Sequence, residues 1–237
     1  MRIAQIVLPT ASEFERKCQR VDFAALSPKH EVTAGHATPV DVTHVYGPPS
    51  YVGDSIVSAL ECGGLPPLSR YLPEAVEEMY FDVHSPDRQP HRVGSFARPS
   101  LRNIVDQTLV RIARFRNDVQ WTLFDHPPSP ANLAGVDAWV DPAVAEDDFD
   151  GFVAEAIAAG KAVVASRTAI NSQRLEHGRT GLLVPCNDPN ELAHAILAAL
   201  FKPEVARSKI EAAQQTAGKF RPRQRLRVLE RIYEAAK

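Results

Sequence analysis

Apolar and polar positions divide this chain into short apolar runs and longer amphipathic segments that follow one another in regular order. A run of about four to eight apolar residues is typical of a strand buried in a parallel sheet, whereas apolar residues three and four positions apart predict a helix. In the second half, the predicted strands are residues 91–97, 119–124, 136–140, 162–165 and 181–184. The predicted helices are residues 101–116, 151–159, 171–177, 189–201, 203–217 and 222–236. This alternation predicts a doubly wound α/β domain.

The first part of the chain shows the same alternation over a shorter length. Its predicted strands are residues 2–8, 30–34 and 41–46, with a helix over 13–26 and a second helix over 73–81. Residues 82–90 are polar, contain two prolines and show no periodicity, so they predict a connection between domains. We therefore expect one domain over residues 1–88 and a second over residues 89–237, which includes the two closing helices.

Composition narrows the class of protein. Hydrophobic residues make up 44% and charged residues 24% of the 237 positions, which is typical of a globular protein. The net charge of -2 gives no general attraction for nucleic acid, so no nucleic-acid partner is expected. Three widely spaced cysteines, the lack of a signal-peptide pattern and the lack of a long apolar run predict a cytoplasmic protein. Motifs of P-loop kinases, dinucleotide-binding dehydrogenases, zinc proteases and serine hydrolases are absent from the sequence.

The segment over residues 145–185 carries the most information about function. An acidic cluster over residues 146–150 leads into a helix rich in small residues whose one carboxylate is Glu155. The cluster follows a predicted strand, and open parallel sheets bind ligands beyond the carboxyl ends of their strands. Ionised carboxylates accept hydrogen bonds from hydroxyls, so this pattern favours a sugar or a ribose as ligand. On composition alone, an acidic cluster that only complements the helix dipole is the alternative.

The same segment resembles the donor-binding signature of the retaining, GT4-like group 1 glycosyltransferases of the GT-B fold. That signature has two acidic residues separated by seven others, as Asp147 and Glu155 are here. It continues with a helix ending in Gly-Lys, a Val-Val-Ala-Ser strand and a Thr-Gly-Leu-Leu-Val strand, found here at residues 160–161, 163–166 and 180–184. The resemblance implies an α/β, GT-B-like protein with two Rossmann-like, doubly wound parallel-sheet domains, of which the N-terminal one is reduced.

The resemblance also implies a reaction, namely transfer of a sugar from a nucleotide-diphosphate-sugar donor, such as a UDP- or GDP-sugar, to an acceptor, with retention. It implies no metal and no resident cofactor. Asp147 would hold sugar hydroxyls at the catalytic centre, and Glu155 would hold the ribose. The remaining donor contacts that it implies in this turn are Phe149, Asp150, Gly151 and Phe152.

The chain departs from the family where cations should hold the diphosphate. The usual Arg and Lys positions are Ser95 and Ser100. Arg98 and Arg102 lie nearby and are candidates to replace them, because a guanidinium binds phosphate in bidentate fashion. An ordinary surface arginine pair is the alternative.

Two further positions are candidates. The family often has Gly-Gly-Ile-Pro-Glu where this chain has residues 169–173, so Ala169 takes the place of a glycine at the donor. His44 lies in a predicted strand that resembles a family motif and is a candidate acid or base, because histidine titrates near neutrality. A structural histidine is the alternative at that position.

Other functions stay open from the sequence. The stretch over residues 9–16 lacks the glycines of the family's first loop, which favours a non-catalytic GT-B relative that binds a nucleotide sugar or a partner protein. Another alternative is a half-enzyme that completes its cleft as a homo-oligomer. The arginines of the last helix favour either contact with an anionic membrane surface or an ordinary solvated basic face.

Overall fold

The computed structural model describes most of the second half of the chain and parts of the first. The described residues are 2–7, 13–28, 31–34, 42–46, 76–83, 91–145 and 152–235. The chain divides into two compact units, one formed by residues 1–76 with 219–237 and the other by residues 77–218. The predicted boundary between residues 88 and 89 lies within 84–90, outside the described residues, and stays a prediction.

The described part of the first unit is a small parallel sheet with two helices. Its strands are β1 (Arg2–Val7), β2 (Glu31–Ala34) and β3 (Val42–Tyr46), in the order β2-β1-β3. Helix α1 (Glu13–Leu26) connects β1 to β2 and packs against the last helix, α8 (Pro222–Ala235). The last helix, predicted to belong to the second domain, falls within the first unit in this division.

The second unit contains a sheet of five parallel strands. These are β4 (His91–Phe96), β5 (Val119–Phe124), β6 (Ala138–Asp141), β7 (Ala162–Ser166) and β8 (Leu182–Val184). The helices are α2 (Arg102–Ile112), α3 (Pro130–Ala134), α4 (Val153–Ala158), α5 (Ala169–Arg174), α6 (Pro189–Phe201) and α7 (Pro203–Ala217). The strand order is β5-β4-β6-β7-β8, and every strand pair is parallel. All five predicted strands are confirmed, and the fold class is α/β as expected.

The strand order reverses between β4 and β6. From β4 the chain crosses to β5 at the edge of the sheet, and it then returns to place β6 on the opposite side of β4. Such a switch point leaves a crevice at the carboxyl ends of the two neighbouring strands, where open α/β sheets bind ligands.

The core lies on both faces of this sheet. On one face Val93, Val140 and Val164, from the three middle strands, pack against the apolar sides of α2 and α6. On the other face lies Trp139, which is fully buried and stacks on the Phe124 ring at 5.9 Å between centroids. Because both faces are covered, β6, β7 and β8 consist of short, largely apolar runs, which is why the sequence predicts them well.

Helix boundaries follow local signals in the sequence. Asp188 caps α6 by accepting hydrogen bonds from the backbone N–H groups of Asn190 and Glu191, at 3.0 Å each, and Pro189 occupies the first turn. At the end of α4, Gly160 adopts φ 66°, a left-handed conformation that glycine takes without steric cost. The predicted helix over residues 73–81 lies partly outside the described residues, and residues Glu78–Tyr80 form a 3-10 turn instead.

An ion pair lies at the amino edge of the sheet, away from the carboxyl ends. The Arg116 guanidinium donates to the Asp118 carboxylate at 2.8 Å and lies over the Phe201 ring. This hydrogen bond lowers the pKa of Asp118 to about 2. The pair therefore contributes stability above pH 3.8, the ordinary pKa of Asp, and that contribution is lost as pH falls through about 2. Because both groups are exposed, the contribution is small.

No helix among the described residues is long and apolar enough to cross a membrane. The predicted cytoplasmic location stays a prediction.

Substituting Gly94 tests the packing between β4 and β6. A Cβ atom at Gly94 would lie 2.9 Å from the Trp139 ring and 3.0 Å from Val136, both buried. We expect Gly94→Ala to lower the free energy of unfolding by ~1–3 kcal/mol, because the ring has no room to move. Urea unfolding followed by tryptophan fluorescence measures the change.

Gly218→Ala is the matched control, since a Cβ there meets nothing within 4 Å. This variant should be as stable as the wild type or up to ~1 kcal/mol more stable. Equal stability of the two variants would contradict the described packing.

Candidate functional site

Polar side chains collect where three neighbouring strands end. Arg98 follows β4, Asp141 is the last residue of β6, and Ser166 is the last residue of β7. Asn171 lies in α5, which follows β7. These residues place a charged cluster at the switch point between β4 and β6, the position where the fold favours a ligand.

Arg98 is held by two acceptors. Its Nη2 donates to Asp141 Oδ1 at 3.0 Å and to the Pro142 carbonyl at 2.7 Å. The Arg98 side chain is 13% exposed and the Asp141 side chain 3% exposed. An ion pair this deep is costly to break, because removing one partner leaves the other charge buried.

Asn171 holds the other side of the same carboxylate. Its Nδ2 donates to Asp141 Oδ2 at 2.8 Å and to the Ser166 carbonyl at 3.0 Å. Its backbone N–H donates to Thr168 Oγ1 at 3.1 Å, which caps α5. The Asn171 side chain therefore links β6 to β7 with a fixed amide orientation.

The carbonyl oxygen of the Asn171 side chain differs from its amide nitrogen, which makes both of these hydrogen bonds. Asn171 is 1% exposed, and its Oδ1 has no hydrogen-bond partner in the part of the chain that the structure describes. A buried acceptor without a donor costs ~1–3 kcal/mol, and native structures contain few of them.

The serine at the family's usual arginine position has a structural role. Ser95 is fully buried, its Oγ donates to the Val140 carbonyl at 2.7 Å, and it accepts from Trp121 Nε1 at 2.9 Å. It thus connects β4 to both neighbouring strands. Arg102 is exposed at the start of α2 and takes no part in the cluster around Arg98. Of the two predicted arginines, Arg98 therefore lies within the cluster and Arg102 is exposed on the helix.

Helix α4 begins with a strained residue. Phe152 has φ 62° and ψ 37°, in the left-handed region, and its ring packs edge-on against Phe96 at 5.0 Å between centroids. A non-glycine residue there costs ~1–2 kcal/mol. Strain of this kind clusters at functional sites, where the surrounding structure holds it in place.

Glu155 lies in the first turn of α4 and is 2% exposed. Since α4 runs from the carboxyl edge of β6 towards the start of β7, this first turn lies at the same edge of the sheet as Arg98 and Asp141. A carboxylate is seldom buried so completely in a helix, because burial of a charge is costly. Glu155, which is predicted to hold the ribose, is therefore one of the least exposed acidic residues that the structure describes.

The remaining predicted site residues are described in part or not at all. Ala169 is exposed at the first position of α5, at the carboxyl edge. His44 lies in β3, opposite Gln5 of β1, and its side chain is outside the described part. Residues that lie outside the described ranges are Asp147, Phe149, Asp150 and Gly151. Their proposed contacts with a donor stay predictions.

Sequence reasoning did not single out Asp141 or Asn171. A signal for the first was a carboxylate at the end of an otherwise apolar strand, directly before Pro142. A signal for the second was an amide at residue 171, where the resembling family often has isoleucine. Neither signal reveals that the two side chains meet, because that contact joins residues 30 positions apart.

A family model, described as "Glycosyl transferases group 1", matches residues 72–201, more than half of the chain. This chain belongs to the group 1 glycosyl transferases. The matched range covers β4 to β8 and the whole cluster at the carboxyl edge. No curated protein matches the chain with significance.

Solved structures show the same architecture for this group 1 glycosyl transferase. HepE of Anabaena, determined in complex with UDP-glucose, is 14% identical, with a TM-score of 0.69 over 99% of this chain and 100% of that one. A glycosyltransferase of Rickettsia africae is 13% identical, with a TM-score of 0.68 over 99% and 98%. WaaG, a glycosyltransferase involved in lipopolysaccharide biosynthesis, is 11% identical, with a TM-score of 0.58 over 96% and 99%. At these identities the likeness concerns the fold, and it confirms the predicted GT-B-like class.

Substitutions at Phe152 test the strain at the start of α4. Phe152→Ala should lower the free energy of unfolding by ~3–5 kcal/mol, through loss of the ring contact with Phe96. Phe152→Gly should cost about 1 kcal/mol less than alanine, because glycine adopts the left-handed conformation freely. Chemical denaturation of both variants measures the difference.

Ala156 is the control for this comparison of alanine with glycine, because it is buried in the right-handed interior of the same helix. There, Ala156→Gly should destabilise the protein by about 1 kcal/mol. If alanine were preferred over glycine at both positions, the account of strain at Phe152 would be wrong.

Proposed function

We propose that this protein transfers a sugar from a nucleotide-diphosphate-sugar donor to an acceptor, with the donor bound at the carboxyl edge of the five-stranded sheet. One observation carries the proposal. Within the range that the family model matches, a buried carboxylate, Glu155, and a fixed guanidinium, Arg98, lie at the same edge of one parallel sheet. A nucleotide sugar presents both hydroxyls and phosphates, and these two groups have complementary chemistry.

The roles follow from that chemistry. Glu155 accepts hydrogen bonds from ribose hydroxyls, Arg98 binds the diphosphate, and Asp147 holds hydroxyls of the sugar. In the reaction the bond between the anomeric carbon and the diphosphate oxygen breaks, and a bond to the acceptor oxygen forms. The acceptor hydroxyl loses its proton, and His44 is the candidate to receive it. Stabilising the departing diphosphate and fixing the reactants supply the catalysis.

Retention and independence of metals and cofactors belong to this proposal as implications of the family resemblance. UDP-sugars are the first donors to test, because HepE was determined with UDP-glucose and with UDP. GDP-sugars are the second. The acceptor is proposed only as a hydroxyl-bearing molecule.

A second candidate function is a non-catalytic relative that binds a nucleotide sugar or a partner protein. Two observations favour it. The Arg98 guanidinium already engages Asp141 and Pro142, and Ser95 is buried within the sheet at the position that normally carries an arginine. Both reduce the cationic character available to a diphosphate.

Two contacts with partners also remain proposals. A homo-oligomer would complete the cleft from a second subunit. Light scattering of an active preparation tests this proposal, because an active monomer would exclude it.

Contact with an anionic membrane surface would use Arg223, Arg227 and Arg231, which are exposed and spaced four residues apart along α8.

Calorimetric titration with UDP, GDP and ADP and their common sugars tests the donor site. One nucleotide should bind saturably to the wild type. Glu155→Gln should weaken that binding about 10-fold or more, since it replaces charge-assisted hydrogen bonds to the ribose by weaker, neutral ones. Glu211→Gln, in an exposed carboxylate of α7, should leave the affinity unchanged. Absence of binding to all these nucleotides would contradict the proposed function.

Slow hydrolysis of the bound donor separates the enzyme from the non-catalytic relative. We expect the wild type to release free sugar from the nucleotide sugar that it binds, and Asp147→Ala to abolish this release. Binding without any hydrolysis or transfer, measured by chromatography of the products, would favour the second candidate.

A further inference from the structure

We propose that Asp141 and Asn171 are positioning residues, which hold the Arg98 guanidinium in the orientation that receives the diphosphate of the donor. This inference rests on the proposed function and extends it to two residues that have no assigned role. It explains how a chain with serine at residues 95 and 100 supplies a cation at this edge of the sheet.

Two hydrogen bonds fix the orientation of the Arg98 guanidinium. Nη2 of Arg98 donates to two acceptors, Asp141 Oδ1 at 3.0 Å and the Pro142 carbonyl at 2.7 Å. The guanidinium is planar, so two contacts at one nitrogen restrict the plane of the whole group. A long arginine side chain otherwise loses much rotamer freedom when it binds a phosphate, and this arrangement removes part of that loss before the ligand arrives.

Asn171 supports the Asp141 carboxylate from the other side. Asp141 Oδ2 accepts from Asn171 Nδ2 at 2.8 Å, and the same nitrogen donates to the Ser166 carbonyl at 3.0 Å. Asp141 and Asn171 are 3% and 1% exposed. The chain of contacts therefore runs from the end of β7 through Asp141 at the end of β6 to Arg98 beyond β4, across three neighbouring strands. Support of this kind keeps a binding group within the narrow range of geometry that a ligand needs.

The remaining observation concerns the oxygen of the Asn171 side chain. Asn171 Oδ1 has no partner among the described residues, although the side chain is buried. An apolar residue would avoid that cost, but it would leave Asp141 Oδ2 and the Ser166 carbonyl without their contacts to Asn171 Nδ2. A protein that keeps an unfavourable group at a candidate site is expected to gain function from the group's other contacts. Here the other contacts are those to Asp141 and Ser166.

If Asp141 only neutralised Arg98, removal of its charge would change diphosphate affinity in the opposite direction. A carboxylate beside a phosphate repels it, so removal of the charge alone should strengthen diphosphate binding. Positioning predicts that removal weakens binding, because Arg98 then loses its fixed orientation. Asn171→Ala separates the two roles, because it removes the support of Asp141 without changing any charge.

The experiment compares each nucleoside diphosphate with its own nucleoside. Wild type, Asn171→Ala, Asp141→Asn and Arg98→Gln are titrated with UDP and uridine, with GDP and guanosine, and with ADP and adenosine. We expect Asn171→Ala and Asp141→Asn to bind the diphosphate about 10-fold more weakly, and Arg98→Gln at least as weakly. Affinity for the nucleoside should be unchanged, since the cluster is assigned to the phosphates. Asn117→Ala, at an exposed asparagine, is the control and should match the wild type.

A double variant tests whether the residues act together. Arg98→Gln/Asn171→Ala should bind the diphosphate no more weakly than Arg98→Gln alone, because Asn171 acts only through Arg98. Independent, additive losses would overturn the inference. Far-UV circular dichroism and the thermal midpoint establish that each variant is folded. If Asp141→Asn does not fold, Asn171→Ala and the charge-conserving Arg98→Lys decide the question, and each should weaken diphosphate binding about 10-fold.

Further outcomes also overturn the inference. Unchanged or stronger diphosphate binding by Asp141→Asn would show that Asp141 only neutralises Arg98. A parallel loss of nucleoside binding would show a general structural role. If the wild type binds no nucleotide, both the inference and the proposed function fail. If the wild type and the variants bind the diphosphate equally well, only the inference fails.

Discussion

The largely buried ion pair between Arg98 and Asp141 joins the two strands on either side of the switch point, and the chemistry of the candidate site depends on it. Open parallel sheets bind ligands beyond the carboxyl ends of their strands, and the reversal of strand order opens a crevice at that edge. In many proteins a buried ion pair contributes little net stability, because the desolvation of both charges offsets their attraction. Its position at the carboxyl edge therefore suggests a role in binding.

The cluster also shows how a departure from a family pattern can be compensated elsewhere in the structure. Ser95 faces into the sheet, where its hydroxyl bridges Val140 and Trp121, so this position offers no group to a ligand. Arg98 lies beyond the same strand and is held at the edge by Asp141, with Asn171 behind it. Arg98, Asp141 and Asn171, which are far apart in the sequence, thus form one connected set of contacts.

Most of the fold could be predicted from the sequence, because its signals are local. The apolar runs of β6 to β8 and the helical spacing of α1, α6 and α7 each lie within a single element. Asp188 and Pro189 mark the start of α6. The candidate site could be predicted only in part. Glu155 and Arg98 stand out through charge and family resemblance, whereas Asp141 and Asn171 gain meaning only from a contact between two strands. The left-handed Phe152 was equally hidden, since nothing in its neighbours requires that conformation.

Hydrogen–deuterium exchange with and without the nucleotide that binds the protein tests most directly whether the carboxyl edge is the donor site. The account predicts slower exchange in peptides that cover residues 97–102, 141–145 and 167–171, which follow β4, β6 and β7. Peptides at the amino edge, over residues 114–118, should be unaffected by the ligand. Protection confined to the amino edge, or saturable binding with no protection at the carboxyl edge, would contradict the account.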